Sequence, residues 1–275
     1  MASFQHRAFL FALCLLILAA PALGTEDIVF SSLPNPNVYP VFIILERDEL
    51  PASFVPARGG VAGLLALMRS GQADVCLLNH APAQKMSQDN GWALAGPCID
   101  RAVYLLSYAT IPNREAIEEL SIISALPGGS PDKLYQAGKF KNQPRFTDLY
   151  LAIQLFLKKD ADALLLPEPF ISQTVLKLRE RGDTFTITDM QQLVTGSPTM
   201  AVNDVVVRRS QDVPAVRAAL DRATTFIAEN PREAAAIIAA GFQVHFHKPL
   251  PVEALQEALE SGRLGFTRAE VGHQD

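Results

Sequence analysis

The sequence predicts an α/β protein made of two consecutive layered blocks. Short apolar runs end at Pro, Gly or Asn and are followed by segments with helical periodicity, and this unit recurs along the chain. Alternating strands and helices favour parallel pairing, with helices on the faces of each sheet. The unit recurs in a first block, residues 28–109, and in a second block, residues 117–207. We therefore expect two lobes, each a mostly parallel sheet flanked by helices.

The first block contains the clearest helix and strand patterns. Apolar residues recur with i, i+3, i+4, i+7 spacing at Val61, Leu64, Leu65 and Met68. Residues 75–78 form a continuous apolar run, typical of a strand that is buried on both faces. The elements expected here, in order, are strand 28–32, helix 38–46, strand 54–55, a helix from residue 61 to Gly71, strand 75–78, a helix after residues 79–82, and strands 92–98 and 103–109.

The second block repeats the pattern and is followed by helices. The elements expected there, in order, are a helical turn at 117–120, strand 121–126, a helix after residues 127–131, a helix over 149–157, strand 161–166, helix 171–181, strands 184–188 and 202–207, and helices 213–229, 232–240 and 251–261. We expect the closing helices to return to the first block. The predicted organisation is thus lobe one at residues 25–106 and 201–275, and lobe two at 107–200.

The N-terminus has the three parts of a secretory signal peptide. His6 and Arg7 precede an apolar run over residues 8–20, Pro21 ends the run, and small residues follow as far as Gly24. The run is shorter than the roughly 20 apolar residues that a membrane-spanning helix needs. Residues 1–24 are therefore expected to be removed on export to the periplasm, the alternative being an uncleaved membrane anchor.

Composition and charge narrow the function classes. Of the 275 residues, 19% are charged and 49% hydrophobic, which is a globular composition, and the formal net charge is −5. No block of Lys and Arg provides an electrostatic surface for nucleic acid. Cys76 and Cys98 remain after export, and an oxidising compartment permits them to pair, although two small buried hydrophobic side chains explain them better.

Signatures of catalysis are absent from the sequence. It contains no G-x-S-x-G, no H-E-x-x-H and no P-loop, and Glu168 stands alone among prolines. His245 and His247 lack a nearby Cys or carboxylate, so a polar loop near Pro249 explains them better than a metal site. We expect no catalytic residue, no metal and no cofactor.

The loops that leave the carboxyl ends of predicted strands are the best candidates for a site. In open sheets, ligands bind at these ends, where helix N-termini offer free N–H donors. Glycine pairs at Gly59-Gly60 and Gly128-Gly129 allow the backbone to approach a ligand closely, although each pair alone also fits a simple turn. The loops in question lie at residues 34–39, 58–61, 79–82, 128–132 and 168–170.

At these loops the sequence resembles type 2 periplasmic solute-binding proteins, in particular the branch that binds nitrate, sulfonates, taurine and thiamine precursors. The most specific match is D-A-L-L-L-P-E-P-F at residues 162–170. The other matches, in the family's order, are L-P-N at 33–35, G-G at 59–60, S-G-Q-A-D-V at 70–75, P-G-G-S-P-D at 127–132, and V-V-V-R at 205–208 followed by E-N-P at 229–231.

The resemblance implies two lobes joined by two crossing strands, with hinges near residues 106–109 and 199–203. It implies a monomer that captures a small molecule between the lobes and delivers it to an inner-membrane permease, usually of the ABC type. The ligand-binding residues implied are Asn35, Tyr39, Gly60, Asn79, His80, Gly129, Ser130 and Glu168.

Two departures from the family pattern bear on the ligand. Residues 46–50 lack the usual step after the first helix, and residues 136–145 replace a longer segment of lobe two, which leaves room for a larger apolar ligand. A cleft-facing Glu168 favours a cationic or hydrogen-bond-donating ligand, whereas an inward Arg58 favours an anion. Two other roles stay open, a periplasmic sensor or carrier for a non-ABC system and, less favoured because of the signal peptide, an enzyme of the same fold.

Overall fold

The computed structural model describes residues 27–125, 127–196 and 203–267 of the 275-residue chain, so the expected signal peptide lies outside the described residues. Two sheets form the cores of two lobes, which confirms the predicted α/β class and two-lobed architecture. Within the described part of the chain, none of the helices is both long and apolar enough to cross a membrane.

Lobe one is built on a six-stranded sheet. Its strands are β1 (Ile28–Ser32), β2 (Ala52–Pro56), β3 (Val75–Asn79), β4 (Ala93–Arg101), β10 (Asn203–Val207) and β11 (Gly265–Phe266). Across the sheet they lie in the order β11-β4-β10-β3-β1-β2. Its helices are α1 (Tyr39–Glu46), α2 (Gly60–Arg69), α3 (His80–Asn90), α8 (Val213–Glu229), α9 (Pro231–Gly241) and α10 (Val252–Glu260), and a π-helical turn covers Phe242–Phe246.

Lobe two is built on a five-stranded sheet. Its strands are β5 (Val103–Ser107), β6 (Ile122–Ser124), β7 (Arg145–Phe146), β8 (Ala163–Pro167) and β9 (Thr186–Asp189). Across the sheet they lie in the order β7-β6-β8-β5-β9. Its helices are α4 (Ser130–Ala137), α5 (Leu149–Leu157), α6 (Phe170–Glu180) and α7 (Met190–Thr195). Asp148 and Asp189 cap α5 and α7 by accepting hydrogen bonds from the first backbone N–H groups of each helix.

Both sheets are mixed rather than mostly parallel. In lobe one, β1 pairs in parallel with β2 and β3, while β10 runs antiparallel to both β3 and β4. In lobe two, β5 runs antiparallel to both β8 and β9. The antiparallel strands β10 and β5 lie next to the connections between lobes. The chain crosses from the first sheet to the second before β5 and returns to the first sheet before β10. These two strands therefore run against the direction of their neighbours.

The first crossing between lobes lies earlier than predicted. β4 ends at Arg101 in the first sheet and β5 begins at Val103 in the second, so Ala102 is the junction. Residues 103–106 therefore belong to lobe two, and the predicted lobe boundary at 106 and hinge at 106–109 are wrong. The apolar run over residues 103–106 predicts a buried strand, but it does not indicate to which of the two sheets the strand belongs. Of the second predicted hinge, 199–203, only Asn203 falls within the described residues.

Each sheet is covered on both faces by apolar side chains. In lobe one, α1 and α8–α10 pack on one face against Phe30 and Val205, and α2 and α3 pack on the other against Val206. In lobe two, α5 and α6 cover one face, and α4 and α7 cover the other. The return of the closing helices to lobe one agrees with the prediction.

The possible disulfide does not form. Cys76 on β3 and Cys98 on β4 are both buried and free, and β10 lies between their strands. Two strand spacings are roughly 9.5 Å, beyond the Cα separation that a disulfide spans. The two thiols also face opposite cores of the lobe. Burial raises the pKa of both thiols well above their usual range, so both stay protonated at neutral pH.

Candidate functional site

A cleft with a volume of about 900 Å³ lies between the two lobes, at the carboxyl ends of β1 and β3. This volume falls in the range of cavities that hold small molecules. Lobe one contributes residues 33–37, 56–61 and 245–248 together with Asn79 and Asn203, and lobe two contributes residues 127–131 together with Lys133 and Pro167. Ala102 and Val103, where the chain crosses between lobes, form part of the same wall.

The lobe-one loops owe their shape to residues that restrict or free the backbone. Asn35 caps a short 3-10 turn by accepting a hydrogen bond from the backbone N–H of Asn37 at 3.1 Å. Gly59 and Gly60 both have positive φ, at 77° and 71°, a conformation that side chains with a Cβ disfavour. Two glycines without side chains therefore lie at the N-terminus of α2, where the backbone faces the cleft directly.

The lobe-two loop is held by its own helix. Gly128 has φ 76°, and its backbone N–H donates to the Asp132 carboxylate at 2.7 Å. Asp132 is buried, so its charge stabilises the loop rather than facing a ligand. Gly129 and Ser130 then begin α4 at the cleft wall, where the first N–H groups of the helix have no partner within it.

The charged side chains that line the cleft are all basic. Arg58 and Lys248 from lobe one and Lys133 from lobe two are exposed, and none of them has an ion-pair partner among the described carboxylates. The lining residues of the described chain include no Asp or Glu. The residues that line the cleft therefore carry a net positive charge.

Residues 245–248 form one wall of the cleft and were missed as a site in the sequence. The His245 ring stacks on Phe42 with a centroid distance of 5.4 Å and meets Phe54 edge-on at 5.0 Å. Phe246 also packs on Phe54. Burial lowers the pKa of His245, which keeps its ring neutral at pH 7. His245 is thus an anchor of this wall, and no metal-binding group of three or more ligands occurs among the described residues.

The structure brings most of the predicted site residues together. Asn35, Gly60, Asn79, Gly129 and Ser130 all line the cleft. His80 lies in an adjoining cavity of about 530 Å³, whose lining also includes Asn79 and Ser130.

Tyr39 and Glu168 were predicted to face the ligand, and the structure instead buries both side chains completely. Neither residue lines the cleft. Tyr39 starts α1 and packs on Phe242, with ring centroids 5.7 Å apart. The loops that carry the two residues are at the site, but their side chains turn into the protein interior.

Glu168 is neutralised by a partner 95 positions along the chain. Arg263 Nε donates to Glu168 Oε1 at 2.5 Å, and Arg263 Nη2 donates to Ser172 Oγ at 2.7 Å. The Ser172 backbone N–H and hydroxyl both donate to the Glu168 carboxylate at 3.0 Å. Burial raises the pKa of Glu168, while Arg263 and Ser172 oppose that rise. The carboxylate therefore does not repel an anion in the cleft.

Several other residues that line the cleft were not predicted, because no motif in the sequence marks them as site residues. Asn37 and Asn203 are buried at the cleft, and each has a side-chain atom without a hydrogen-bond partner, Nδ2 of Asn37 and Oδ1 of Asn203. Lys133 and Lys248 lie on ordinary polar stretches. His245, His247 and Lys248 lie close together in the sequence, and this cluster of basic residues was the signal that could have indicated this wall of the cleft.

No protein-family model matches the sequence, and no curated protein is significantly similar to it. Solved structures do match its fold. An ABC transporter structure from Parabacteroides distasonis is 19% identical with a TM-score of 0.66, covering 88% of this chain and 86% of that one. The periplasmic aliphatic sulphonate binding protein SsuA from Escherichia coli is 14% identical with a TM-score of 0.65, covering 90% and 87% of the two chains.

A third structure carries a bound molecule. The alkanesulfonate-binding protein SsuA from Xanthomonas axonopodis pv. citri, bound to MOPS, is 13% identical with a TM-score of 0.56, covering 88% of this chain and 86% of that one. Identities this low establish the fold alone. The chain has the two-lobed fold of the type 2 periplasmic binding proteins, which agrees with the resemblance seen in its loops.

Proposed function

We propose that this protein is a periplasmic solute-binding protein that captures a small organic anion between its two lobes. The cleft with basic lining from both lobes is the observation that carries this proposal. A ligand that contacts Arg58 or Lys248 on one side and Lys133 on the other stabilises the closed arrangement. It does so only by its higher affinity for that arrangement.

The anionic class follows from the charges that face the cleft. Arg58, Lys133 and Lys248 attract an acidic group, and the N-termini of α2 and α4 add N–H donors to it. The expectation of a cationic ligand depended on Glu168, which is withdrawn into a buried pair with Arg263. A bilobed sulfonate-binding neighbour supports the same class of ligand.

We further propose that residues 1–24 direct the chain to the periplasm and that the loaded protein delivers its ligand to an ABC-type permease in the inner membrane. The basic, short apolar and small-residue segments of the N-terminus support export. Neighbours from ABC systems support the transporter partner. A binding role rather than an enzyme is supported by neighbours that are binding proteins, among them a ligand-binding component of an ABC-type import system.

The proposal is tested by calorimetric titration of the mature protein with ethanesulfonate, butanesulfonate, their neutral alcohols and their ammonium analogues. We expect the sulfonates alone to bind. Replacing Lys133→Met removes a charged hydrogen-bond donor, so their affinity falls roughly tenfold to hundredfold.

Lys141→Met is the matched control, because Lys141 is also a lobe-two lysine but pairs with Glu118 on the surface outside the cleft. Its sulfonate affinity stays within twofold of the wild type. Binding of the ammonium compounds, or an equal loss of affinity in both lysine variants, contradicts an anion site in this cleft.

A further inference from the structure

The cleft continues into the adjoining cavity of about 530 Å³. Asn79, Val103, Ser130 and Lys133 line both cavities, so the two spaces meet along a common boundary. The second cavity also lies between the lobes, because His80 and Ala81 come from α3 of lobe one and Ala137 comes from α4 of lobe two.

The second cavity differs from the first in chemistry. Ala81, Pro82, Val103, Leu134 and Ala137 make much of its wall apolar. Lys133 is exposed and lines both cavities, so it lies at their boundary. A lysine side chain can lay its aliphatic stem on apolar surface while its ammonium group stays in water. The acidic group of a ligand is thus best held in the first cavity, and the second cavity suits an apolar extension.

One polar wall of the second cavity is fixed in place. His80 Nδ1 lies 2.5 Å from Asp204 Oδ2, and the Asp204 side chain is only 5% exposed whereas that of His80 is 53% exposed. The buried carboxylate holds the imidazole at the cavity wall. The wall therefore does not need to be ordered by the ligand, which lowers the entropic cost of binding there.

We propose that the second cavity is a subsite for the apolar arm of the ligand, so that the protein takes amphipathic organic acids with an extended chain. This inference rests on the proposed anion-binding function and adds the size and polarity of the ligand. It assigns a binding role to Ala81 and Ala137, at which a larger side chain narrows the second cavity and leaves the first unchanged.

The test is a titration series of straight-chain alkanesulfonates from ethane- to decanesulfonate, each below its micelle concentration. A buried methylene improves affinity about fourfold. We expect the dissociation constant to fall along the series, with decanesulfonate binding at least tenfold more tightly than butanesulfonate.

Two variants from opposite walls locate the effect. Ala137→Phe and Ala81→Phe change exposed positions, so both proteins are expected to fold. Each abolishes the gain of decanesulfonate over butanesulfonate and leaves butanesulfonate affinity within twofold. Val61→Phe, which narrows the first cavity, is the matched control and weakens every member of the series.

Equal affinity for butane- and decanesulfonate in the wild type overturns the subsite while leaving the anion site intact. A chain-length gain that survives in both Phe variants also overturns it, because the chain then lies elsewhere. Failure of every sulfonate to bind contradicts the proposed function itself and the subsite with it.

Discussion

At the scale of single residues, the ion pair of Glu168 and Arg263 governs both stability and the character of the cleft. Glu168 belongs to lobe two and Arg263 follows α10 of lobe one, so the pair spans the lobes. Arg263 also donates to Glu257 at 3.1 Å, and Glu257 in turn accepts from Arg179 at 2.9 Å. This network ties α6 to α10 and joins the lobes on the side of the crossing strands.

Replacing Arg263→Met is expected to lower the free energy of unfolding by about 3–5 kcal/mol at pH 7, because it leaves a buried carboxylate without its cation. The raised pKa of Glu168 rises further in this variant. An acid whose folded pKa lies above its unfolded value favours folding when protonated, so the deficit shrinks as the pH falls through the folded pKa. Urea unfolding at several pH values measures this.

The double variant Glu168→Gln with Arg263→Met is the control, since it removes both charges together. We expect it to regain much of the lost stability and to lose the pH dependence of the single variant. A single variant as stable as the wild type at pH 7 would show that the pair is solvated.

The sequence predicted the position of the loop that contains Glu168, but it did not predict the direction of the Glu168 side chain. The run over residues 162–170 predicts a buried strand followed by a turn at a sheet edge, and β8 confirms that strand. Whether the carboxylate faces the ligand depends on Arg263, whose position relative to the strand follows from tertiary packing. The direction of the Tyr39 side chain also follows from tertiary packing, because its ring packs against Phe242 in the core.

At the scale of elements, the short connection from α9 to α10 shapes a wall of the cleft. Gly241 ends α9 against the Phe42 ring, and a Cβ on Gly241 would lie 2.5 Å from the nearest ring atoms. Phe42 is itself buried and stacks on His245. The absence of a side chain at Gly241 therefore permits the packing that positions residues 242–248.

Gly241→Ala is expected to destabilise the protein by about 1–3 kcal/mol through overpacking against Phe42. It should also weaken sulfonate binding, because residues 245–248 are displaced from the cleft wall. Ala240→Ser, at the exposed neighbouring position, is expected to change stability by less than about 0.5 kcal/mol. Thermal unfolding and titration of both variants compare the two effects, and equal stability of the two would contradict this packing.

Strands and helices with strong periodicity were predictable, because the pattern of buried apolar residues that defines each one lies within its own segment of sequence. The apolar run at 75–78 and the helical spacing from Val61 correspond to β3 and α2. The crossing at Ala102 was not predictable, because β4 and β5 are separated by one residue and both are compatible with either sheet. Mixed pairing was missed for a similar reason, since strand direction depends on the return of β10 to the first sheet.

At the scale of the whole molecule, two lobes enclose a basic cleft that neither lobe forms alone. Arg58 and Lys248 approach from lobe one, and Gly129, Ser130 and Lys133 approach from lobe two. On the proposed function, a ligand held by both sides shifts the population toward closed lobes, and a shift from mostly open to mostly closed requires on the order of 5 kcal/mol of differential affinity. We expect such a motion to be accommodated at the crossings near Ala102 and Asn203.

Capture of the ligand between the lobes is tested by hydrogen exchange of the mature protein with and without saturating butanesulfonate, because backbone protection reports which segments the ligand orders. We expect slower exchange in both lobes at once, at residues 58–61 and 79–80 of lobe one and at 128–133 of lobe two. Protection confined to one lobe, or located away from these loops, would contradict capture of the ligand between the lobes.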